Sequence, residues 1–336
     1  MINKKTKFCK DAALLGAAVM MISALAGCGK NTKVVLTAGL KKNEVFRISS
    51  ASCVLPEVMV YLTNMQNQYE SVYGSQIWNA SDGQLSLEQE EREQVLTQLA
   101  RIKVMNLLAQ KKEVTLDDKE KERAAAAGRE YFTSLNSAEV TALNVTQDLI
   151  TKMYEEYALA EKVYQTIVEN VNPEVSDDEA RTITVDMIRV SDSAKASQVL
   201  GKAKEEGVDF ETLAQAESED QTVTQSFGKG EVSEALEKAA FNLGKDEISD
   251  VVESDGSYYI LKCISTFDEA QTKANKEKIV KQRQSEAFDT EYTAFEQTLV
   301  RQLNEELWNS VTMIHQDDVK TSSFFEVYQM YFQHQE

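Results

Sequence analysis

The stretch TITVDMIRV, residues 182–190, decides the reading of the fold. Ile183, Val185 and Met187 alternate with Thr184 and Asp186, and β-branched residues dominate, which is a strand pattern of period two. Everything before it reads mostly as helix. At residues 146–171 apolar side chains recur in steps of three and four (Leu149, Met153, Tyr157, Ala160, Tyr164, Ile167, Val171), as on one face of an amphipathic helix. The aromatics on that face read as core or as contacts for a partner, with core the simpler reading. Asn172-Pro173 ends this helix, because a residue before proline is driven out of the helical region. The period therefore changes from 3.6 to 2 at about residue 180, where a second module begins.

Further upstream, Pro56 suits the first turn of a helix reaching about Tyr73. SLEQ (86–89) is a capping box opening a helix whose face is Val95, Leu99, Ile102, Met105 and Ala109. TLDD (115–118) opens a charged, Ala-rich helix to about Leu135. Residues 30–50 read as irregular, with a short strand at 33–37.

Downstream of the opening strand, Ser191-Asp192-Ser193 caps a helix that Gly207 stops. Short helices follow at 210–216 and 233–243. Val251-Val252 and YYILKCIS (258–265) read as strands joined through the Asp255-Gly256 turn. From Asp268 the pattern is helical to about His315, with Phe288, Tyr292, Phe295, Leu299 and Leu303 on one face, and an aromatic-rich segment closes the chain at 322–332. The layout is helices, a β-α-α-α-β-β insert, then helices whose apolar face needs the N-terminal ones as a partner. The class expected is α+β.

The first 27 residues have a different character. Lys4, Lys5, Lys7 and Lys10 precede an apolar run over residues 12–26, as in a secretory signal. That run is shorter than the ~20 residues a spanning helix needs. LAGC (25–28) resembles a bacterial lipobox, which implies cleavage before Cys28, a diacylglyceryl group on its sulfur, and a body held outside the cytoplasm at a membrane. An uncleaved anchor is the alternative. The expected boundaries are 1–27 signal peptide, 28–50 linker, 51–175 helical domain, 176–268 insert, and 269–336 helices returning to the first domain.

The 336 residues are 42% hydrophobic and carry a net charge of −19, which argues against nucleic acid as a partner. Only two histidines occur, His315 and His334, both outside the insert. Cys53 and Cys263 sit among apolar neighbours, as buried free cysteines do, although an extracytoplasmic location also permits a disulfide. There is no Gly-rich phosphate loop, CxxC motif or Ser/His/Asp set, and HQDD (315–318) lacks metal-ligand spacing.

Several runs of the insert resemble the parvulin family of peptidyl-prolyl cis–trans isomerases. GVDFETLA (207–214) is similar to the family's glycine-x-x-phenylalanine helix entry, and ESED (217–220) to its serine-x-aspartate turn. GEVSEALEKAAFNLG (230–244) is similar to its most characteristic stretch, and Ile248-Ser249 with DGSYYILK (255–262) to its closing strands. The whole plan also resembles the extracytoplasmic foldases similar to PrsA and SurA. That resemblance implies a helical domain built from both chain ends, a parvulin domain inserted in it, and as partners unfolded exported proteins and proline-containing peptides. No cofactor is implied.

Rotation about X–Pro crosses a barrier of about 18–20 kcal/mol. A catalyst must hold the proline in an apolar cup and bind the twisted amide better than the planar one. The family does so with two histidines, an aspartate or cysteine, and a methionine–phenylalanine pair. The resemblance places the first histidine position on Met187 and the second on Tyr259, the aspartate on Asp220, the apolar pair on Val232 and Leu236, and adds Phe241 to the binding surface. Asp220 alone matches as it stands. The structural reading of the same residues is core packing for Met187, Val232 and Leu236, a strand aromatic for Tyr259, and a turn cap for Asp220. The catalytic reading has Tyr259 hydrogen-bonding Asp220 or the bound amide. Three functions follow: an isomerase, a chaperone that keeps the parvulin fold as scaffold, or an envelope interaction lipoprotein. The missing histidines favour the second.

Overall fold

The computed structural model describes residues 39–80 and 86–333. The signal peptide, Cys28, the strand at 33–37 and His334 lie outside the described residues. The chain divides into two units, one of Met1–Asn170 with Glu286–Glu336 and one of Val171–Ser285.

The first unit opens with a hairpin of β1 (Glu44–Ile48) and β2 (Ala51–Val54). Residues 44–48 are thus no linker: Val45, Phe46 and Ile48 are buried in the core. The helices are α1 (Leu55–Tyr73), α2 (Leu87–Lys111), α3 (Asp118–Ser134), α4 (Ser137–Leu143) and α5 (Gln147–Val168), with a 3-10 turn at Ser75–Asn79. Local chemistry sets their starts. The Ser86, Asp117 and Asn136 side chains each accept from a backbone N–H three residues on, completing capping boxes. Gly128 lets α3 approach α5 closely, since a Cβ there would lie 2.9 Å from the Thr151 Cα.

The second unit contains α6 (Asp177–Ala180), β3 (Ile183–Val190), α7 (Ser193–Ala203), α8 (Phe210–Glu217), β4 (Thr224–Phe227), α9 (Glu234–Phe241), β5 (Val252–Ser254) and β6 (Ser257–Ser265). Its antiparallel sheet has the order β4-β3-β6-β5. The order of elements is therefore β-α-α-β-α-β-β. The missed strand, β4, is TQSF, whose only buried residue is Phe227. A short polar edge strand carries no alternating signal, and pairing with β3 creates it, with the Thr184 and Ser226 hydroxyls 2.8 Å apart. The Asp255-Gly256 turn has φ of 51° and 74°, the left-handed pair a tight hairpin requires.

Helix α10 (Glu269–Glu296) leads back to the first unit, followed by β7 (Arg301–Leu303), α11 (Glu305–Asn309) and α12 (Phe324–Phe332). The helix expected to reach His315 stops at Glu296, and residues 301–303 pair with β1 instead. The reason is tertiary: β1 has a second edge, and strand pairing covers it. Leu299 and Leu303 still pack on the core. Phe324 of α12 stacks on Tyr154 with ring centres 4.5 Å apart, and Phe288 is fully buried. Beneath them the Lys103 ammonium is buried between Glu57 at 2.7 Å and Glu156 at 2.6 Å. Segments from both sides of the insert thus build one helical unit, and the α/β unit is inserted between them in sequence, the α+β class expected. Cys53 and Cys263 are free, buried thiols. Among the described residues no helix is long and apolar enough to cross a membrane.

Candidate functional site

The four-stranded sheet is apolar on both faces. Ile188, Val190 and Ile260 pack under α7 and α8. Ile183, Val185, Met187, Leu261 and Cys263 pack under α9, which contributes Leu236 and Ala240. This second face holds most of the candidate residues. Met187 is buried, and its N–H donates to the Val223 carbonyl at 2.8 Å. Leu236 is buried beside it, and Val232, Phe241 and Tyr259 are partly buried members of the same cluster. Tyr259 stands opposite Arg189 in the β3–β6 register and Met187 opposite Leu261, so Tyr259 and Met187 are diagonal neighbours. Phe241 packs edge-on to Phe227, with the Arg181 guanidinium 4.8 Å and the Lys229 ammonium 5.8 Å from its ring centre. Both distances lie within cation–π range.

Asp220 stands outside this cluster, on the turn after α8. Its carboxylate accepts from Arg189 Nε at 2.7 Å. The same turn is tied to β3 through the backbone: the Arg189 N–H donates to the Ser218 hydroxyl at 3.1 Å, and the Glu219 N–H to the Arg189 carbonyl at 2.8 Å. Arg189 Nη1 also reaches Ser257 Oγ at 3.4 Å and lies 3.8 Å from Glu219. The hydrogen bond expected between Tyr259 and Asp220 does not form; the Asp220 carboxylate pairs with Arg189 instead.

Arg189 is the residue that sequence reasoning missed. Its signal was present: two positions after Met187 it shares that face of the strand. Only the fold brings it to the ESED turn.

The face is an apolar surface edged by a phenol and an arginine–carboxylate pair, without an imidazole. Burial pushes the Cys263 thiol up, away from nucleophile chemistry. Among the described residues the one histidine, His315, belongs to the helical unit, 3.9 Å from Glu70. The members of this cluster that stay partly exposed are Val232, Phe241 and Tyr259. The face offers neither the two imidazoles of the family pattern nor a free carboxylate.

The model of the PPIC-type PPIase domain matches residues 161–278. The foldase protein PrsA of Streptococcus pneumoniae strain Hungary19A-6 is 31% identical over 165 residues, covering 44% of this chain and 53% of the relative. The PrsA of strain CGSP14 matches to the same extent, so the chain spans about half the length of the curated relatives it matches. Among solved structures, a peptidylprolyl isomerase (PrsA) from Bacillus cereus aligns at 19% identity and TM-score 0.37, over 72% of this chain and 91% of the other. A SurA-like chaperone structure from Campylobacter jejuni aligns at 10% identity and TM-score 0.30, over 78% and 99%. Superpositions at that level do not bear on function. The inserted unit thus carries a parvulin-type (PPIC-type PPIase) domain, in a chain that is similar over part of its length to PrsA foldase proteins.

Proposed function

We propose that this chain is a lipid-anchored extracytoplasmic foldase that binds unfolded exported proteins, and that its parvulin-type unit is a binding surface with little or no isomerase activity. The observation that carries this reading is the ion pair of Asp220 with Arg189 beside an apolar cluster that includes Met187 and Tyr259, the residues on which the resemblance expects histidines. Such a face can accept proline rings and other apolar side chains. Lowering the barrier also requires polar groups that bind the twisted amide selectively, and Asp220, the one group in place by type, is held by Arg189. The anchor is Cys28, and the partners are unfolded or partly folded exported proteins.

The test is a prolyl isomerisation assay on the mature chain beside Asp220→Ala, together with suppression of aggregation of a denatured client. The expected result is isomerisation at the uncatalysed rate for both proteins and suppression of aggregation. Strong acceleration lost in Asp220→Ala would overturn the non-catalytic part and support a site rebuilt on Asp220 and Tyr259. A chain that binds no unfolded protein but isolates with one folded partner at fixed stoichiometry would point to an envelope interaction lipoprotein. Release of a Cys28→Ser variant from the membrane fraction checks the anchor.

A further inference from the structure

Residues 310–323 run without helix or strand from α11 to α12. Unstructured connections longer than about 12 residues are uncommon in compact units and usually functional. The path of this one is set by side chains of the helical unit. Within residues 312–322 the backbone–backbone hydrogen bond is one tight turn, from the Val319 N–H to the Gln316 carbonyl at 3.0 Å.

Helix α1 presents a row of amides to this segment. The Gln66 side chain donates to the Ile314 carbonyl at 2.9 Å and accepts from the Ile314 N–H at 3.1 Å, so it pairs with both main-chain groups as a neighbouring strand would. Asn67 donates to the Thr321 carbonyl at 2.9 Å and to that of Val319 at 3.3 Å, and Gln68 to the Ser322 carbonyl at 2.9 Å. On the α4 side, Asn136 donates to the Asp318 carbonyl at 2.8 Å and Glu139 accepts from the Lys320 N–H at 2.9 Å. Each of these bonds is made to main chain and is indifferent to the side chain carried there. Val311, Met313 and Val319 are buried, while Thr312, Gln316 and Lys320 are exposed. Main-chain hydrogen bonds together with pockets for spaced apolar side chains are the means by which proteins hold an extended peptide.

We propose that the groove along α1 and α4 is a site for an extended segment of a client protein, and that residues 311–322 are an internal strap that fills it until a client displaces them. The assignment rests on the client-binding reading above and adds a site and an autoinhibitory contact to it. The strap is anchored at both ends, by the Trp308 N–H on the Asn304 carbonyl at 2.8 Å and by the fully buried Phe324 ring, so it lifts as a loop while both anchors stay in place. The client's main chain remakes the bonds that the strap gives up. Apparent client affinity is then reduced by the fraction of molecules in which the strap is lifted.

The test uses the mature full-length chain and reduced, carboxymethylated α-lactalbumin as a permanently unfolded probe. Hydrogen exchange is followed by mass spectrometry with and without saturating probe. The amides of residues 311–322 are expected to exchange at least about tenfold faster in the complex, as in local opening, with the backbone of α1 unchanged. Met313→Ala and Val319→Ala shrink the strap's own anchors and leave the groove side chains in place. Each is expected to tighten probe binding, read by anisotropy of fluorescein-labelled probe, by about tenfold. Unchanged or slower exchange of 311–322 in the complex overturns the proposal, and that measurement needs no variant to fold. Weaker or unaltered probe binding by folded Met313→Ala and Val319→Ala overturns it too. Probe binding with a closed strap removes only the strap assignment, whereas absence of probe binding removes the client-binding reading with it.

Discussion

Met187 shows how one position can keep a fold while changing its chemistry. It fills the apolar face under α9 among Val185, Leu236 and Leu261, where a thioether packs without a hydrogen-bonding debt. A histidine there would bury an imidazole among groups that cannot pair with it. Met187→His is therefore expected to lose about 1–3 kcal/mol in denaturant unfolding, and to gain no isomerase rate while Arg189 holds Asp220. A stable Met187→His variant with strong activity would show that the face is open and the locked carboxylate irrelevant. The aspartate was legible from its motif and the arginine was not, since a charged residue on a strand acquires meaning only from what lies opposite.

At the level of elements, packing can reverse a local preference. Alanine is a better helix former than glycine by about 1 kcal/mol, yet Gly128→Ala is expected to destabilise the helical unit by about 1–3 kcal/mol through overpacking. The Thr151 backbone of α5 stands where the Cβ would go. Thermal unfolding of the variant measures the balance, and a gain in stability would mean that α3 and α5 can part without loss.

Helix α2 carries the opposite case, an acid buried with no hydrogen-bond partner for either carboxyl oxygen among the described residues. This is Glu91, 1% exposed. Desolvation raises its pKa from 4.5 to about 7. Between those values the folded state binds more protons than the unfolded one, so Glu91 costs no stability below about pH 4.5 and progressively more as pH rises through 7. The full cost is of the order of 3 kcal/mol, from 1.36 kcal/mol per pKa unit. Glu91→Gln is expected to flatten the fall in midpoint temperature between pH 5 and 8, and an unaltered slope would assign it to other groups.

On the scale of the whole molecule, the two units have separate cores. Both apolar clusters of Val171–Ser285 are built from its own residues. That segment alone is expected to unfold cooperatively in urea, as a sheet covered on both faces should. Broad, non-cooperative loss of structure would show that it depends on the helical unit.

The sequence by itself determined the helices with caps and long apolar stripes, strand β3, the Asp255-Gly256 hairpin and the parvulin pattern. Each of these is a local signal, a period or a turn residue that works within a few positions. Tertiary structure decided what short segments become: β4, β1 and β7 are strands because a neighbouring edge is there to pair with. It also decided which residues meet. Met187, Val232, Leu236, Phe241 and Tyr259 share one cluster, whereas Asp220 is held by Arg189, thirty-one positions earlier in the chain. Alternation along a strand says which face a side chain takes. The partner across that face is set by how distant segments fold together, which no local pattern encodes.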